Sequence, residues 1–400
     1  MKKNYLLMVM GLIAGSLFYS CSSELESENV KSQDVSLAKR GSKDSPCDYF
    51  NSAVESSMLS GVKAVYLDNG IAGTCKNNIL IFPTLKSYEE AILILDKKIE
   101  ENNNGFDQQT GNMTDVKADD YAELISFDEN KPLIDFEREL NLCSLREYLS
   151  GLDDNWLSQQ KDNTWDLNTS PDEYYIDDDT ERTLLSFGSE FIVGDCKNGY
   201  TLYKRYDWGY VSFPITDIGT TSEVLTILND ITNPTQQPIN IDGATQDQVV
   251  AGLKPYREVK YTITATNPTN SQTGQCRGQV KNKGQHVFNA QRRIVWKHKL
   301  KDARFPNTPG TTLMKTYTRS YRKKDGGWKK FRATIFTGYY GKTAKPIQCT
   351  DVGDEPLTGK EKRRKKLKER SYIIGNVSVK KNVFFSVHKQ EGNSYQNEVY

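Results

Sequence analysis

The side chains with the clearest chemical capacity are cations clustered near the carboxyl end of the chain. Guanidinium and ammonium groups bind phosphate, sulfate and carboxylate groups, and a dense set of them attracts polymers that carry such groups. The pattern therefore predicts a polyanion-binding surface on a loop and on a neighbouring strand. Its candidate residues are Lys360, Lys362, Arg363, Arg364, Lys365, Lys366, Lys368 and Arg370 on the loop, and Lys315, Arg319 and Lys323 on the strand.

The charge of the chain is divided between its two ends. Residues 1–250 carry 20 Lys+Arg and 42 Asp+Glu, a net charge of −22, whereas residues 251–400 carry 33 and 10, a net charge of +23. This division indicates two modules of opposite charge. Two interpretations remain open: the basic module attracts an anionic partner, or the two modules dock on each other.

Several partners would suit a basic surface. Anionic ligands of this kind include an acidic glycan, the phosphates of lipopolysaccharide and extracellular DNA or other nucleic acid. A protein of the cell envelope is a further candidate partner. We expect a non-catalytic binding module for a polyanion, a glycan or a partner protein.

Residues for catalysis are harder to identify. The three histidines are His286, His298 and His388, and the sequence has no nucleophile elbow, no HExxH helix and no glycine-rich phosphate loop. We expect a structural role for His298, and we predict no metal site and no cofactor. The alternative function is a secreted hydrolase of the glycosidase type, which needs only two suitably spaced carboxylates. The aromatic stretch 206–210 is a candidate sugar-stacking surface or a set of core residues.

The amino terminus has the organisation of an export signal. Two lysines precede an apolar run of 15 residues, from Tyr5 to Tyr19, and Ser20 and Cys21 follow. This run suits a signal-peptide core and is short for a membrane span. Residues 21–45 are rich in Ser, Glu, Lys and Asp, which predicts a flexible tether.

This segment resembles the signal of bacterial lipoproteins, and its looser motif resembles those of the Bacteroidota. The resemblance implies cleavage after residue 20, acylation of Cys21 and attachment to a membrane through that lipid. Glu24, Glu26 and Glu28 resemble the acidic signal that directs such lipoproteins to the outer face of the outer membrane. Ordinary secretory cleavage at another position is the alternative.

Cysteine content suits an oxidising compartment. Six cysteines remain after Cys21, and an even number in an exported chain is compatible with disulfides. Closeness in the sequence favours the pairs Cys47–Cys75 and Cys276–Cys349. Cys143 lies in a predicted helix and Cys196 beside a predicted hairpin turn, so a buried free thiol is an open alternative for either.

Hydrophobic patterning predicts an α+β fold in which a small acidic α+β module precedes a basic, all-β, sandwich-like module. The acidic module covers 46–231, a linker covers 232–252 and the basic module covers 253–400. In the acidic module, one helix opens at Ser87 and ends at 102–105, and a second runs from about Leu133 to Gln160. In the basic module the apolar period is two, and Asp325-Gly326-Gly327 predicts a hairpin.

Overall fold

A computed structural model of the chain describes residues 53–66, 78–162, 165–171, 176–206, 209–214, 260–262, 276–302, 311–346 and 348–400. Over these residues the chain forms five α-helices and seventeen strands, which are arranged in three sheets. Residues Asp44–Tyr400 belong to one compact unit. The predicted signal peptide, tether and linker 232–252 lie outside the described residues.

The amino-terminal sheet has seven strands in the order β1-β2-β3-β4-β5-β6-β7. Strands β3 and β4 pair in parallel, and all five helices lie between them in the sequence, whereas the other neighbours are antiparallel. The strands are β1 (Val54–Glu55), β2 (Lys63–Tyr66), β3 (Asn78–Phe82), β4 (Glu190–Asp195), β5 (Gly199–Tyr206), β6 (Gly209–Pro214) and β7 (Lys260–Thr262).

Helices cover this sheet through an apolar core. Phe82, Tyr88 and Phe191 are fully buried, and the rings of Tyr88 and Phe191 stack with centroids 4.0 Å apart. Burial of such rings is the main source of stability in a layered fold. The helices are α1 (Leu85–Gln109), α2 (Asp115–Leu124), α3 (Lys131–Glu139), α4 (Leu145–Ser158) and α5 (Asp179–Thr183).

The helix boundaries differ from those predicted. Helix α1 begins two residues earlier than expected, because Thr84 caps it by accepting a hydrogen bond from the Ser87 amide at 3.0 Å. It also continues beyond the expected stop, since the buried Asn103 side chain donates to the Ile99 carbonyl at 2.9 Å. The single helix predicted over 133–160 is two helices, α3 and α4, separated where Asn141 takes a φ of 47°. Helix α2 was not predicted.

The carboxyl-terminal strands form two antiparallel sheets of five strands each. In the first, the order is β12-β11-β10-β9, with β15 also paired to β11; in the second it is β14-β13-β16-β17, with β8 paired to β16. The strands are β8 (Cys276–Arg277), β9 (Val280–Asn289), β10 (Arg292–Asp302), β11 (Thr311–Lys324), β12 (Gly327–Lys330), β13 (Ala333–Ala344), β14 (Asp351–Arg364), β15 (Lys366–Ile374), β16 (Ser378–Gln390) and β17 (Asn393–Glu398).

Two expectations about these strands are wrong, and one is confirmed. The cation run 360–370 is not a loop: it occupies the end of β14 and most of β15, which belong to different sheets and meet at Lys365. Strand β7, which the prediction assigned to the basic module, pairs with β6 of the amino-terminal sheet. The hairpin at Asp325 and Gly326 is confirmed, because both residues take the positive φ that a two-residue turn requires.

The coarse prediction of a mixed α+β fold with a β-rich carboxyl-terminal half is confirmed. The sandwich-like arrangement of the second half and the two-domain division remain predictions. Among the described residues, no helix has the length and apolar character to cross a membrane.

The cysteine predictions have mixed outcomes. The predicted disulfide between Cys276 and Cys349 is present, with Cα atoms 5.8 Å apart. Cys143 and Cys196 are disulfide-bonded as well, so the alternative of free thiols is wrong. Cys21, Cys47 and Cys75 lie outside the described residues.

Candidate functional site

Most cations of strands β14 and β15 face the acidic helices and contact their carboxylates. Strand alternation places residues 362 and 364 on one face of β14, and residues 366, 368 and 370 on one face of β15. The contacts are Lys362 with Glu100, Arg363 with Asp115, Arg364 with Asp107 and Glu100, Lys366 with Asp179, and Lys368 and Arg370 with Asp178.

The three candidates on β11 have carboxylate partners as well. Lys315 contacts Asp177 at 3.2 Å and Arg319 contacts Asp153 at 2.7 Å, and Lys323 contacts Asp162. Burial lowers the pKa of Lys315 to about 7 although Asp177 opposes this shift. Lys315 is therefore already paired inside the fold and is a poor ligand for an external anion.

The carboxylates that receive these cations are held in their charged form. Although burial opposes ionisation, Lys315 and Lys368 lower the pKa of Asp177 well below its usual value, and Lys368 and Arg370 lower that of Asp178. These ionised groups lie at the start of α5. The interpretation in which the acidic and basic parts of the chain dock on each other therefore describes the geometry of these residues.

One arginine dominates this interface. Arg332, between β12 and β13, is fully buried. Its two Nη atoms donate to Asp107 at 2.7 Å, to Asn103 at 2.9 Å and to Glu129. Its backbone amide donates to Asp119 at 2.9 Å, and its guanidinium lies over the rings of Phe106 and Phe127. We call Arg332 and these six partners the anchor cluster.

A second arginine stacks between tryptophans. The guanidinium of Arg293 on β10 lies 4.4 Å from the ring centroid of Trp165 and 4.6 Å from that of Trp328. The Trp165 ring also packs edge-on against Trp156 of α4. This stack joins the helices to the strands through apolar burial and cation–π attraction.

A cavity of about 220 Å³ lies beside the anchor cluster. Its walls come from α1, α4 and α5 on the acidic side and from β11, β12, β14 and β15 on the basic side. Nine Lys and Arg residues line it, together with five acidic residues, which are Glu100, Asp128, Glu129, Asp153 and Asp179. We call it the interface cavity.

Four of the five carboxylates already contact cations. Glu100 contacts Lys362 and Arg364, Glu129 contacts Arg332, Asp153 contacts Arg319 and Lys330, and Asp179 contacts Arg182 and Lys366. Three further carboxylates outside the lining, from Asp107, Glu137 and Asp154, contact Arg364, Arg146 and Lys330.

Positive charge nevertheless remains unbalanced in the lining. Lys360 and Lys365 line the cavity, and neither side chain makes an ion pair with the described residues. Burial lowers the pKa of Lys362, and the nearby charge of Arg364 contributes to the same shift. The cavity is therefore better suited to an anion than to a cation.

Two lining arginines, Arg146 and Arg182, were missed by the sequence analysis. Both belong to the acidic half of the chain. The sequence analysis considered the net charge of that half and overlooked its individual arginines. Arg182 follows the acidic run Asp177–Asp179 and is 4% exposed. Each could have been recognised in the sequence as an isolated arginine in an otherwise acidic helix. Such an arginine is typically paired or binds a ligand.

The histidines occupy structural positions, as His298 was expected to. His298 and His388 are fully buried, and the Ser386 hydroxyl lies 2.9 Å from Nδ1 of His298 and 3.1 Å from Nε2 of His388. Burial lowers the pKa of His298 to about 3. Burial, together with His298, lowers the pKa of His388 well below its usual value.

Two further features concern metal binding and sugar stacking. Within the described ranges, no group of three or more His, Cys, Asp or Glu side chains is placed to hold a metal ion. The side chains of the aromatic stretch 206–210 lie outside the described residues.

The fold and the cavity define a mixed α+β protein whose acidic helices and basic strands enclose a cation-rich pocket. No protein-family model matches the chain, and no curated protein matches it. The chain is similar to the crystal structure of a DUF4848 family protein from Bacteroides thetaiotaomicron VPI-5482. The identity is 11% and the TM-score is 0.18, over 80% of this chain and 93% of that chain. At this TM-score the likeness supports no inference about function.

Proposed function

We propose that this protein is a lipid-anchored protein of the cell envelope that binds an anionic ligand without chemically changing it. The ligand enters the interface cavity rather than lying along the basic strands. The observation that carries this proposal is the excess of cations in the cavity lining, where Lys360 and Lys365 have no carboxylate partner among the described residues.

A polymer bound along the basic strands is less well supported. A ligand on that face would have to displace carboxylates of the same chain, such as Asp178 from Lys368 and Asp115 from Arg363. An intramolecular partner is already in place at high effective concentration, so an external polyanion competes poorly for these cations. An anionic group in the cavity displaces no such partner of Lys360 or Lys365.

The alternative function is a carboxylate-based hydrolase, and the same cavity supplies its acids. A general acid must hold a proton near neutral pH, which requires an apolar or acidic environment. Glu100, Glu129, Asp153 and Asp179 instead contact cations, which is neither an apolar nor an acidic environment. This chemistry favours binding over hydrolysis.

A binding assay tests the proposed function. The full chain, purified in detergent, is applied to an array of phosphorylated, sulfated, uronic acid-containing and neutral glycans, with nucleic acid and envelope extract as further arms. We expect retention of anionic glycans that weakens as salt increases, without new reducing ends. Release of reducing ends would favour the hydrolase, and retention of neutral glycans alone would contradict the proposal. Binding of an envelope protein in the absence of glycan would replace the ligand with a protein partner.

A second experiment tests the anchor. Mass spectrometry of the protein from its native host should find a new amino terminus at Cys21 that carries acyl chains. Cys21→Ser should move the protein from the membrane fraction to the soluble fraction, because several acyl chains attach a protein stably. Ser23→Ala, in the same segment, is the matched control, which should leave the protein in the membrane fraction. A Cys21→Ser variant that stays membrane-bound would contradict lipid anchoring.

A further inference from the structure

The carboxyl-terminal sheet β14-β13-β16-β17 has one face inside the fold and one that faces outward. Ile335, Tyr339 and Phe384 are buried on the inner side, so alternation along each strand directs their neighbours to the other side. We call that side the outer face. The strand register arranges its residues in three rows, which are Glu361, Phe336, Lys389 and Ser394, then Gly359, Gly338, Val387 and Gln396, then Tyr340, Phe385 and Glu398, with Leu357 beside a β-bulge at the end of the last row.

Three aromatic side chains give the outer face an apolar surface. Phe336, Tyr340 and Phe385 are each partly exposed, and Leu357 is 55% exposed. Polar residues that are exposed to solvent surround them, namely Glu361, Ser394 and Gln396. A contiguous group of partly exposed rings on one face, unlike a single exposed side chain, indicates an interaction surface.

Two glycines hold the Phe336 ring flat against the sheet. Gly338 and Gly359 lie opposite each other on β13 and β14. A Cβ atom at either position would collide with the Phe336 ring, and at Gly338 it would lie 2.8 Å from Cε1 of that ring. The ring therefore covers both backbone positions and directs its other side outward, where Nζ of Lys389 lies 5.0 Å from the ring centroid.

The Tyr340 ring is also fixed by its neighbours. It stacks against Phe385 with centroids 5.5 Å apart and an angle of 24° between the ring planes. Its hydroxyl donates a hydrogen bond to Oε1 of Gln396 at 2.8 Å. The Phe336 and Tyr340 rings are therefore in position before any ligand binds, which lowers the entropy cost of binding.

Charge on the outer face is small and nearly balanced. Its charged residues are one lysine and two glutamates, Lys389, Glu361 and Glu398, which give a net charge of −1. Single-stranded nucleic acids also stack on aromatic rings, but they bind in positively charged grooves. A neutral ligand therefore matches the charge of the outer face better than a polyanion does.

The area of the outer face favours a small ligand over a protein. Strands lie about 4.8 Å apart and outward positions about 6.8 Å apart, so four strands with three rows span roughly 14 Å by 14 Å, or about 200 Å². A stable protein–protein complex buries about 800 Å² on each partner. The outer face is much smaller than this and has the scale of a few sugar rings.

We infer that the outer face binds a short neutral oligosaccharide, whose sugar rings pack on Phe336 and Tyr340 and whose hydroxyls hydrogen-bond to Ser394 and Gln396. The C–H face of a sugar ring is apolar and packs on an aromatic ring, whereas its hydroxyl groups need polar partners. Positions 336 and 340 lie about 13 Å apart along β13, so the two rings contact different sugar units. This site goes beyond the proposed function, because no residue of the outer face lines the interface cavity.

Calorimetric titration of the full chain tests this inference, in a detergent whose headgroup is not a sugar. The probes are neutral hexasaccharides of glucose, mannose, galactose, xylose and N-acetylglucosamine. We expect saturable binding of at least one hexasaccharide, with an affinity that does not change with salt. Phe336→Ala and Tyr340→Ala should each weaken it about threefold to tenfold, because each removes one aromatic packing surface. Tyr372→Ala, at a 41% exposed tyrosine of β15, is the matched control and should bind like the wild type.

A further variant keeps the test decisive if the aromatic variants are misfolded. Gln396 is exposed on β17, so Gln396→Ala should preserve the fold. It should weaken hexasaccharide binding several-fold, because it removes a hydrogen-bonding partner of the ligand and releases the Tyr340 hydroxyl. Failure of every hexasaccharide to bind would overturn the inference, as would unchanged affinity in Phe336→Ala, Tyr340→Ala and Gln396→Ala.

One comparison separates this site from the interface cavity. Lys365→Gln should weaken the retention of anionic glycans on the array and leave hexasaccharide binding unchanged, whereas Phe336→Ala should do the reverse. If no hexasaccharide binds while anionic glycans are still retained, this inference is wrong and the proposed function stands. Loss of both activities in a folded Phe336→Ala variant would contradict two separate sites.

Discussion

The anchor cluster and the interface cavity are neighbours on one interface, yet their arginines are used in opposite ways. Arg332 is fully buried, its Nη atoms reach two carboxylates and an amide, and two phenylalanine rings cover its guanidinium. Arg182 and Arg364 are almost as buried and line the cavity, but neither has a ring contact among the described residues. Buried arginines therefore stabilise the interface at the anchor cluster, whereas at the interface cavity they contribute to a cation-rich lining.

This difference shows how an interface of charged side chains can stabilise the fold and also contain a binding site. Buried ion pairs contribute little net stability, but removal of one partner is strongly destabilising because the other charge stays buried. In the anchor cluster Arg332 contacts two carboxylates and lies over two rings, so it joins the helices to the strands. In the interface cavity Lys360 and Lys365 line the walls without an ion pair among the described residues, so positive charge remains available there.

Arg332→Met gives the largest expected effect. It removes the cation that contacts Glu129 and one of the two that contact Asp107, and both carboxylates stay at the interface. We expect a loss of about 3–5 kcal/mol in the free energy of unfolding, measured by urea denaturation. The exposed Arg138→Met is the control and should change stability by less than about 0.5 kcal/mol. A small loss of unfolding free energy in the Arg332→Met variant would contradict the distinction between the anchor cluster and the interface cavity.

The pH dependence of stability should distinguish the buried histidines from the carboxylates of the interface. Because the pKa of His298 is about 3 in the fold and about 6.5 in the unfolded chain, the unfolded state takes up a proton first as pH falls below about 6.5. His388, whose pKa is also lowered, adds to this loss. The upper limit is about 2 kcal/mol per histidine between pH 7 and pH 5.

The interface carboxylates respond at lower pH. The pKa values of Asp177 and Asp178 are lowered, so their stabilisation is present above the usual carboxyl range and is lost as pH falls below it. His298→Asn should therefore flatten the pH dependence of the urea midpoint between pH 6.5 and 5 and leave the decline below pH 4 unchanged. The same slope in the variant would assign the acid sensitivity to the interface instead.

Arg182→Met should cost less than Arg332→Met. It removes the hydrogen bonds to the Ile176 carbonyl and Asp179, but Lys366 still contacts Asp179. We expect a loss of about 1–3 kcal/mol in the free energy of unfolding. A loss as large as that at Arg332 would make Arg182 part of the anchor.

Lys324→Gln gives the smallest expected effect. Lys324 contacts Asp120 at 2.9 Å and Glu123 at 2.5 Å, where its side chain is 27% exposed and theirs are 49% exposed. Solvent screens such pairs, so we expect a change of about 0.2–1 kcal/mol that vanishes at high salt. A larger change would extend the anchor to the edge of the interface.

Local patterns predicted much of the fold and less of the site. The turn at Asp325–Gly326 was expected, because both residues accept positive φ. The cation run was mistaken for a loop because charged side chains on both faces hide the period of two. The break between α3 and α4 was missed because the apolar positions of the two helices continue one helical pattern across 141–144.

The sequence by itself determined the segregation of charge, the change from a helical to a strand period and the identity of the cations at the interface. These are properties of composition and of near neighbours. Only the tertiary structure decided which cations would be neutralised: Arg332 and Asp107 are 225 residues apart, and Arg182 and Arg364 belong to opposite halves of the chain. Electrostatic pairing depends on distance in space and on burial, and neither is encoded in the local order of residues.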